Sequence, residues 1–122
     1  MKYLLLICGE QGEAEPGEET IPVVRVQGGP AVDVNAEPWV EEMGAHGIRL
    51  FGSRVRPPAD ATTVRVRDGE LLTTDGPYAE TKEWMAGFDV IGCANLDEAV
   101  EVAAKHPAAR TGMIEVRPFW AE

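Results

Sequence analysis

The stretch Thr74-Asp75-Gly76-Pro77-Tyr78-Ala79-Glu80-Thr81-Lys82-Glu83 separates two apolar, strand-like segments of the chain. Proline lacks a backbone N–H and glycine favours a bend, so Asp-Gly-Pro cannot continue a helix or a central strand. The backbone is therefore predicted to break here. The break would present five polar or aromatic side chains at a fixed place: Asp75, Tyr78, Glu80, Lys82 and Glu83.

Working outward from this break, the chain shows strand patterns on both sides. Residues 3–8 form a continuous apolar run, which is typical of a central strand. Two alternating runs are joined by Asp68-Gly69, the strongest short signal for a tight hairpin. Further strands are predicted over residues 48–55, 87–93 and 113–117.

Two helices are predicted between the strands. Asn35 caps the first, whose apolar face is Trp39, Val40 and Met43, and Gly47 stops it. Asn95 begins the second in capping-box fashion. Its predicted apolar stripe comprises Leu96, Ala99, Val100 and Ala103.

The two histidines follow the predicted helices. His46 ends the first helix and His106 ends the second, where the helix dipole and free carbonyls favour a cation. Residues 10–19 are predicted to form an acidic loop. Residues 20–35 are predicted to be irregular, with at most a short strand.

The resulting order is the ferredoxin-like βαββαβ plan with an extra β-hairpin, an α+β fold in a single domain over residues 1–122. Two short helices cannot cover both faces of the sheet. Leu4, Leu6, Val90 and their neighbours therefore predict a homodimer that forms through the uncovered face.

Composition narrows the class of partner. The net charge of −10 and the lack of a basic stripe disfavour nucleic acid and anionic membrane surfaces. Residues 1–8 are interpreted as a buried strand, since their apolar run is too short for a signal peptide and an acidic segment follows. Cys8 and Cys93 match no metal spacing, which predicts buried, reduced thiols in a cytoplasmic protein.

Several ordered segments resemble the DGPF proteins of the YCII-related family. They are the opening strand, residues 58–69, the 74–83 run, residues 96–99 and residues 115–118. This resemblance implies a dimeric α+β barrel built from ferredoxin-like protomers. Tyr78 stands where these proteins usually have phenylalanine. Residues 35–39 lack the early helical histidine of the histidine–aspartate pair often discussed for the wider family.

Asp75 is the predicted catalytic residue, acting as a general base. The alternative is structural, with its carboxylate accepting from backbone N–H groups of the turn that follows. Tyr78, Lys82 and Arg117 are predicted to orient a small polar or aromatic ligand. Arg117 lies two residues from Glu115 on the final strand, and its alternative role is an ion pair with a neighbouring strand. No motif for a metal or a cofactor is present, so neither is predicted.

Two functions are compatible with these residues. The first is a small-molecule-binding dimer, acting as a cofactor-independent lyase or isomerase through Asp75. The second is a non-catalytic accessory or regulatory protein that acts through protein–protein contacts, in the manner of similar proteins associated with alternative sigma factors. A polar cleft would favour the first, and an exposed apolar patch beyond the dimer face the second.

Overall fold

The computed structural model describes residues 1–10, 23–25, 31–33, 35–76 and 83–121. Its centre is a four-stranded sheet in the order β4-β7-β1-β8, in which every neighbouring pair is antiparallel. These strands are β1 (Lys2–Glu10), β4 (Arg49–Arg54), β7 (Glu83–Gly92) and β8 (Met113–Pro118). The protein is thus α+β, and this strand order is consistent with the predicted ferredoxin-like plan.

Three helices pack on one face of this sheet. They are α1 (Glu37–Ala45), α2 (Leu96–Ala104) and the short α3 (Ala108–Thr111). The indole Nε1 of Trp39 donates to the carbonyl of Val102 at 2.9 Å, which ties α1 to α2. Within the described part of the chain, no helix is long and apolar enough to cross a membrane.

The start of α2 agrees with the prediction, but its buried stripe does not. Asn95 accepts the backbone N–H of Glu98 at 3.0 Å, as expected for an N-cap. The buried residues of α2 are Ala99, Val102 and Ala103, whereas Leu96 and Val100 are exposed. The predicted stripe was therefore rotated about the helix axis: α2 buries Val102 in place of Leu96 and Val100.

Side chains of the sheet alternate between two environments. Tyr3, Leu5 and Ile7 of β1 are buried beneath the helices. Leu4 and Leu6 point to the opposite face, where they are only partly covered. The buried core contains the following residues: Tyr3, Leu5, Ile7, Trp39, Met43, Ile91, Cys93, Ala99, Val102, Ala103 and Ala108.

The predicted hairpin forms a separate two-stranded sheet from β5 (Thr62–Arg67) and β6 (Glu70–Asp75). Asp68 and Gly69 have φ values of 52° and 78°, the left-handed pair that a type I′ turn requires. The irregular region contains a second small pair, β2 (Val23–Arg25) with β3 (Ala31–Asp33). The sequence had indicated at most one short strand there.

Candidate functional site

Two of the four predicted site residues lie within the described part of the chain, and the structure does not bring them together. Asp75 is the last residue of β6, where it is exposed and pairs with Thr62. The N–H of Gly76 bonds to the carbonyl of Ala61, which fixes the end of the hairpin. Tyr78 and Lys82 lie outside the described residues. Of the turn predicted for Asp75, the N–H of Gly76 is described and bonds to Ala61, and the residues after Gly76 lie outside the described residues.

Arg117 lies on the sheet face opposite the helices, beside Leu4 of β1. Its Nε is 2.6 Å from Oε2 of Glu115, two residues earlier on the same strand. The structural alternative for this residue is an ion pair with a neighbouring strand. An ion pair is present, but both of its partners lie on β8.

A cavity of about 460 Å³ lies on the helix side of the sheet. It is bounded by the start of α1, by β4 and β7, and by the segment that follows α2. Seven polar residues line it: Asn35, Glu37, Ser53 and Arg54 are exposed, whereas Arg49, Asp89 and His106 are half-buried or buried. Neither Asp75 nor Arg117 is among the lining residues, so this cavity is a site that the sequence did not predict.

Arg49 and Asp89 form an ion pair in the cavity wall. Nε of Arg49 donates to Oδ1 of Asp89 at 2.8 Å, across the β4–β7 pair. Asp89 is only 6% exposed. Burial raises the pKa of Asp89 above its ordinary value, and the hydrogen bond and charge of Arg49 oppose that rise.

An irregularity in β4 places both partners of this pair on the helix side. Arg49 pairs with Ile91 and Gly52 pairs with Asp89, with a register shift between Arg49 and Phe51. Residues three apart on a regular strand point to opposite faces of the sheet. The bulge shifts the alternation by one residue, and Arg49 and Gly52 therefore point to the same face. A Cβ at position 52 would overlap the Asp89 carboxylate. Glycine has only a hydrogen atom at that place, which leaves the space open.

His106 is buried and uncharged, not the helix-capping cation that the sequence indicated. It is 5% exposed, and its ring lies edge-on to Trp39 with centroids 4.7 Å apart. Burial lowers its pKa to about 4. The sequence-based interpretation failed because the packing of α1 over this position removes the solvent that a cation needs.

The tautomer of His106 follows from its hydrogen bond. Nδ1 lies 3.0 Å from the backbone nitrogen of Ala108 and accepts its N–H. In the neutral ring the proton must then be on Nε2. Within the described residues, no acceptor bonds to this Nε2–H.

His46 lies at the end of the first helix, as the sequence indicated. It is the C-cap of α1, and its ring nitrogen Nδ1 lies 2.8 Å from the carbonyl of Glu42. The cap at the other end of α1 differs slightly from the prediction. Ala36 is the N-cap, and Asn35 instead accepts the N–H of Glu37 at 3.0 Å.

One sequence signal could have identified Asp89. It is the only charged residue in the run 86–93, and it lies on the same face as Ile91, which is fully buried. A carboxylate at a core position needs a partner, which indicates a buried pair or a functional group. The partner could not be deduced, because Arg49 is distant in sequence and reaches Asp89 only through the bulge in β4.

The chain was compared with known proteins. It is 47% identical over 69 residues to an uncharacterized protein of Rhizobium meliloti (strain 1021), a match that covers 55% of this chain and 56% of that protein. The chain thus spans little more than half the length of this relative. The profile of the YCII-related domain matches residues 1–121. The protein therefore belongs to the YCII-related domain family.

Proposed function

We propose that this protein binds a small organic molecule in the cavity and acts on it by proton transfer, as a cofactor-independent isomerase or lyase. The observation that carries the proposal is that the buried Arg49–Asp89 pair and the neutral His106 line one cavity. Buried titratable groups that converge on a concave site are typical of ligand-binding and catalytic centres. The cavity volume lies within the usual range of small-molecule sites, roughly 300–1,000 Å³.

Asp89 is the proposed base. Arg49 occupies Oδ1, whereas no described residue donates to Oδ2. This second oxygen is available to take a proton from a carbon next to a carbonyl group. Return of the proton at another carbon completes an isomerisation, and departure of a leaving group with its bonding electrons completes an elimination.

His106 is the proposed electrophile for the same step. Its Nε2–H can donate to the carbonyl oxygen on which negative charge develops as the carbon loses its proton. A neutral imidazole can serve in this way when its pKa is held well below the working pH. The pKa of about 4 therefore suits His106 to donate a hydrogen bond, and makes it unsuited to gain a proton near pH 7.

Asp75 remains a rival for the role of base, with Tyr78, Lys82 and Arg117 as the proposed ligand contacts of that rival site. Asp75 is an exposed residue at the end of the hairpin, so solvent reaches it more readily than it reaches the buried Asp89. A base in contact with water gains less from desolvation than a buried one. We therefore place Asp89 ahead of Asp75.

We also propose that the protein is a homodimer, and that two sheets face each other to form an α+β barrel. The sheet face opposite the helices is largely apolar and includes Leu4, Leu6 and Val90. Phe51, which is 60% exposed, packs against Phe88 on this face, with ring centroids 5.7 Å apart. A second copy would bury this surface, in a contact expected to exceed roughly 1,200 Å².

Chemical-shift mapping with a library of small organic molecules tests the proposed site. We expect binding molecules to shift the backbone amides of Val40, Phe88 and Ala108, which line the cavity. Shifts confined to the β5–β6 hairpin would contradict the proposal. Shifts at the cavity that vanish in Asp89→Asn would connect the ion pair to binding.

A second candidate function is that of an accessory protein acting through protein–protein contacts. The observation that favours it is an apolar stripe on the hairpin, made by Val64, Val66 and Leu71, which are 60%, 59% and 68% exposed. A two-stranded hairpin is only marginally stable without further packing. Under this alternative, Leu71→Thr would abolish co-purification of a partner protein, whereas Asp89→Asn would not.

A further inference from the structure

We propose that the cavity recognises an organic acid, with its carboxylate held by Arg49 and His106 and its apolar body against the wall of the sheet. This inference rests on the proposed function, because it assumes that the cavity is the ligand site. It adds the chemical class of the ligand, whose carboxylate is then the carbonyl group that His106 contacts in the proposed proton transfer.

The first support is the unused donor capacity of Arg49. A guanidinium carries five N–H donors, and Asp89 engages only the one on Nε. No described residue accepts from the two Nη atoms, although the side chain is only 21% exposed. Buried donors without acceptors are costly, and a carboxylate matches the planar fork of a guanidinium.

The second support is the Nε2–H of His106. His106 is more than nine-tenths buried and lines the cavity, and its Nε2–H has no acceptor within the described residues. Its neutral state makes it a donor only at Nε2, since Nδ1 already accepts from Ala108. A carboxylate is an acceptor-only group and can serve both His106 and Arg49.

The start of α1 adds a favourable field. Asn35, Ala36 and Glu37 line the cavity, so the positive end of the helix dipole lies at its edge. An anion is stabilised at such a helix end. The carboxylate of Glu37 opposes this effect, but Glu37 is exposed, and solvent screens its charge.

The remaining wall selects an organic anion over an inorganic one. Ile7, Val40 and Ala108 contribute apolar surface to the cavity. Inorganic phosphate would leave this surface in contact with water, whereas the body of an organic acid would cover it. The ligand class is therefore a small carboxylic acid with an aliphatic or aromatic body.

Titration of the full chain with matched acids and amides tests this class. Benzoate and benzamide have nearly the same shape and differ in charge, as do hexanoate and hexanamide. We expect each acid to bind at least about tenfold more tightly than its amide, the factor that 1.4 kcal/mol gives. Shifts of the Ala108 amide and of the Trp39 indole N–H would report occupancy. Inorganic phosphate is expected to bind more weakly than benzoate.

Variants identify the group that discriminates between acid and amide. Arg49→Gln alone would leave Asp89 as a buried, unpaired acid and could unfold the chain. The double variant Arg49→Gln with Asp89→Asn removes both charges at once and keeps a hydrogen-bonding pair. We expect it to bind benzoate and benzamide equally. Arg56→Gln is the control, because Arg56 pairs with Asp60 and does not line the cavity.

The outcomes separate this inference from the proposed function. If benzamide or phosphate shifts the cavity residues at the same concentration as benzoate, the carboxylate class is wrong and the cavity remains a ligand site. If the double variant retains the full preference for acids, Arg49 is not the recognition group and the inference fails. If neither the acids and amides nor the wider library shift any cavity residue, the proposed function fails with it.

Discussion

Gly52 lies directly opposite Asp89 in the β4–β7 register, and the carboxylate of Asp89 occupies the space that a Cβ on Gly52 would fill. The same missing Cβ leaves room for the guanidinium of Arg49. The buried ion pair of the cavity wall therefore depends on one glycine. The bulge after Arg49 brings that glycine to the correct face.

Gly52→Ala should separate Arg49 from Asp89 and destabilise the protein. Breaking a buried ion pair costs about 3–5 kcal/mol, and partial adjustment would reduce this value. We expect a loss of at least about 2 kcal/mol in the free energy of unfolding, measured by urea denaturation.

Gly44→Ala is the matched control for that experiment. Gly44 lies in α1, and no atom lies within 4 Å of the position that its Cβ would take. Alanine in a helix is favoured over glycine by roughly 0.5–1 kcal/mol, so this variant should be slightly more stable than the wild type. Equal stability of Gly52→Ala and the wild type would show that the glycine is not needed for the pair.

His106 should make the protein less stable in acid. Its folded-state pKa of about 4 lies below the ordinary value of 6.5, so the folded chain binds fewer protons between these two values. The stabilising effect is complete above pH 6.5 and is lost as the pH falls toward 4. By linkage, the loss in the free energy of unfolding approaches about 3 kcal/mol at pH 4. Urea denaturation at pH 7, 5.5 and 4 measures it.

His106→Asn should remove this dependence, because asparagine keeps an acceptor for Ala108 but does not titrate. His46→Gln, at an exposed site, should retain it. Asp89 contributes to the pH dependence with the opposite sign. Its pKa is raised in the folded chain, so stability falls as the pH rises from the ordinary pKa of Asp89 towards its folded-state pKa. That contribution is present in both variants, so the difference between them isolates His106. An unchanged pH profile in His106→Asn would refute the buried neutral state.

The predicted dimer depends on the apolar sheet face. Phe51→Asp places a charge on that face, at a position exposed enough for the single protomer to fold. We expect sedimentation velocity at micromolar concentration to show a dimer for the wild type and a monomer for Phe51→Asp. Val100→Asp, a similar change at an exposed position on α2, should remain dimeric. A stable wild-type monomer at that concentration would rule out the dimer.

The proposed base can be tested once a ligand of the cavity is known. Deuterium wash-in from solvent measures proton removal from the carbon of the bound molecule. Asp89→Asn should slow this exchange by roughly 10²–10⁴-fold, the usual contribution of a general base. Asp75→Asn should leave the rate unchanged. The reverse pattern would assign the base to Asp75, as the sequence predicted.

Features set by neighbouring residues could be predicted from the sequence. Asp68-Gly69 requires positive φ angles at both positions, which is a local property of a type I′ turn. The N-cap at Asn95 depends on a backbone N–H only three residues away. Alternate residues of β1 point to opposite faces of the sheet, so Leu5 lies on one face and Leu4 and Leu6 lie on the other. This indicated that the face opposite the helices is also apolar.

The candidate cavity could not be predicted, because its polar groups meet only through tertiary contacts. Arg49 and Asp89 are 40 residues apart and are joined by a bulge that no turn residue marks. The burial of His106 depends on α1, whose Trp39 bonds to a carbonyl 63 residues away. The sequence pattern at the end of α2 indicates a helix terminus. The same pattern contains no information about which element packs over that terminus.

A cavity-filling variant tests the central claim most directly. Ala36 lines the cavity at the start of α1, and Ala45 lies exposed at the other end of the same helix. Thermal melts of wild type, Ala36→Leu and Ala45→Leu would be recorded with and without a pool of small molecules from cell extract. We predict that the pool raises the melting temperature of the wild type and Ala45→Leu equally and leaves Ala36→Leu unchanged. A full ligand-induced rise in Ala36→Leu would contradict the assignment of this cavity as the ligand site.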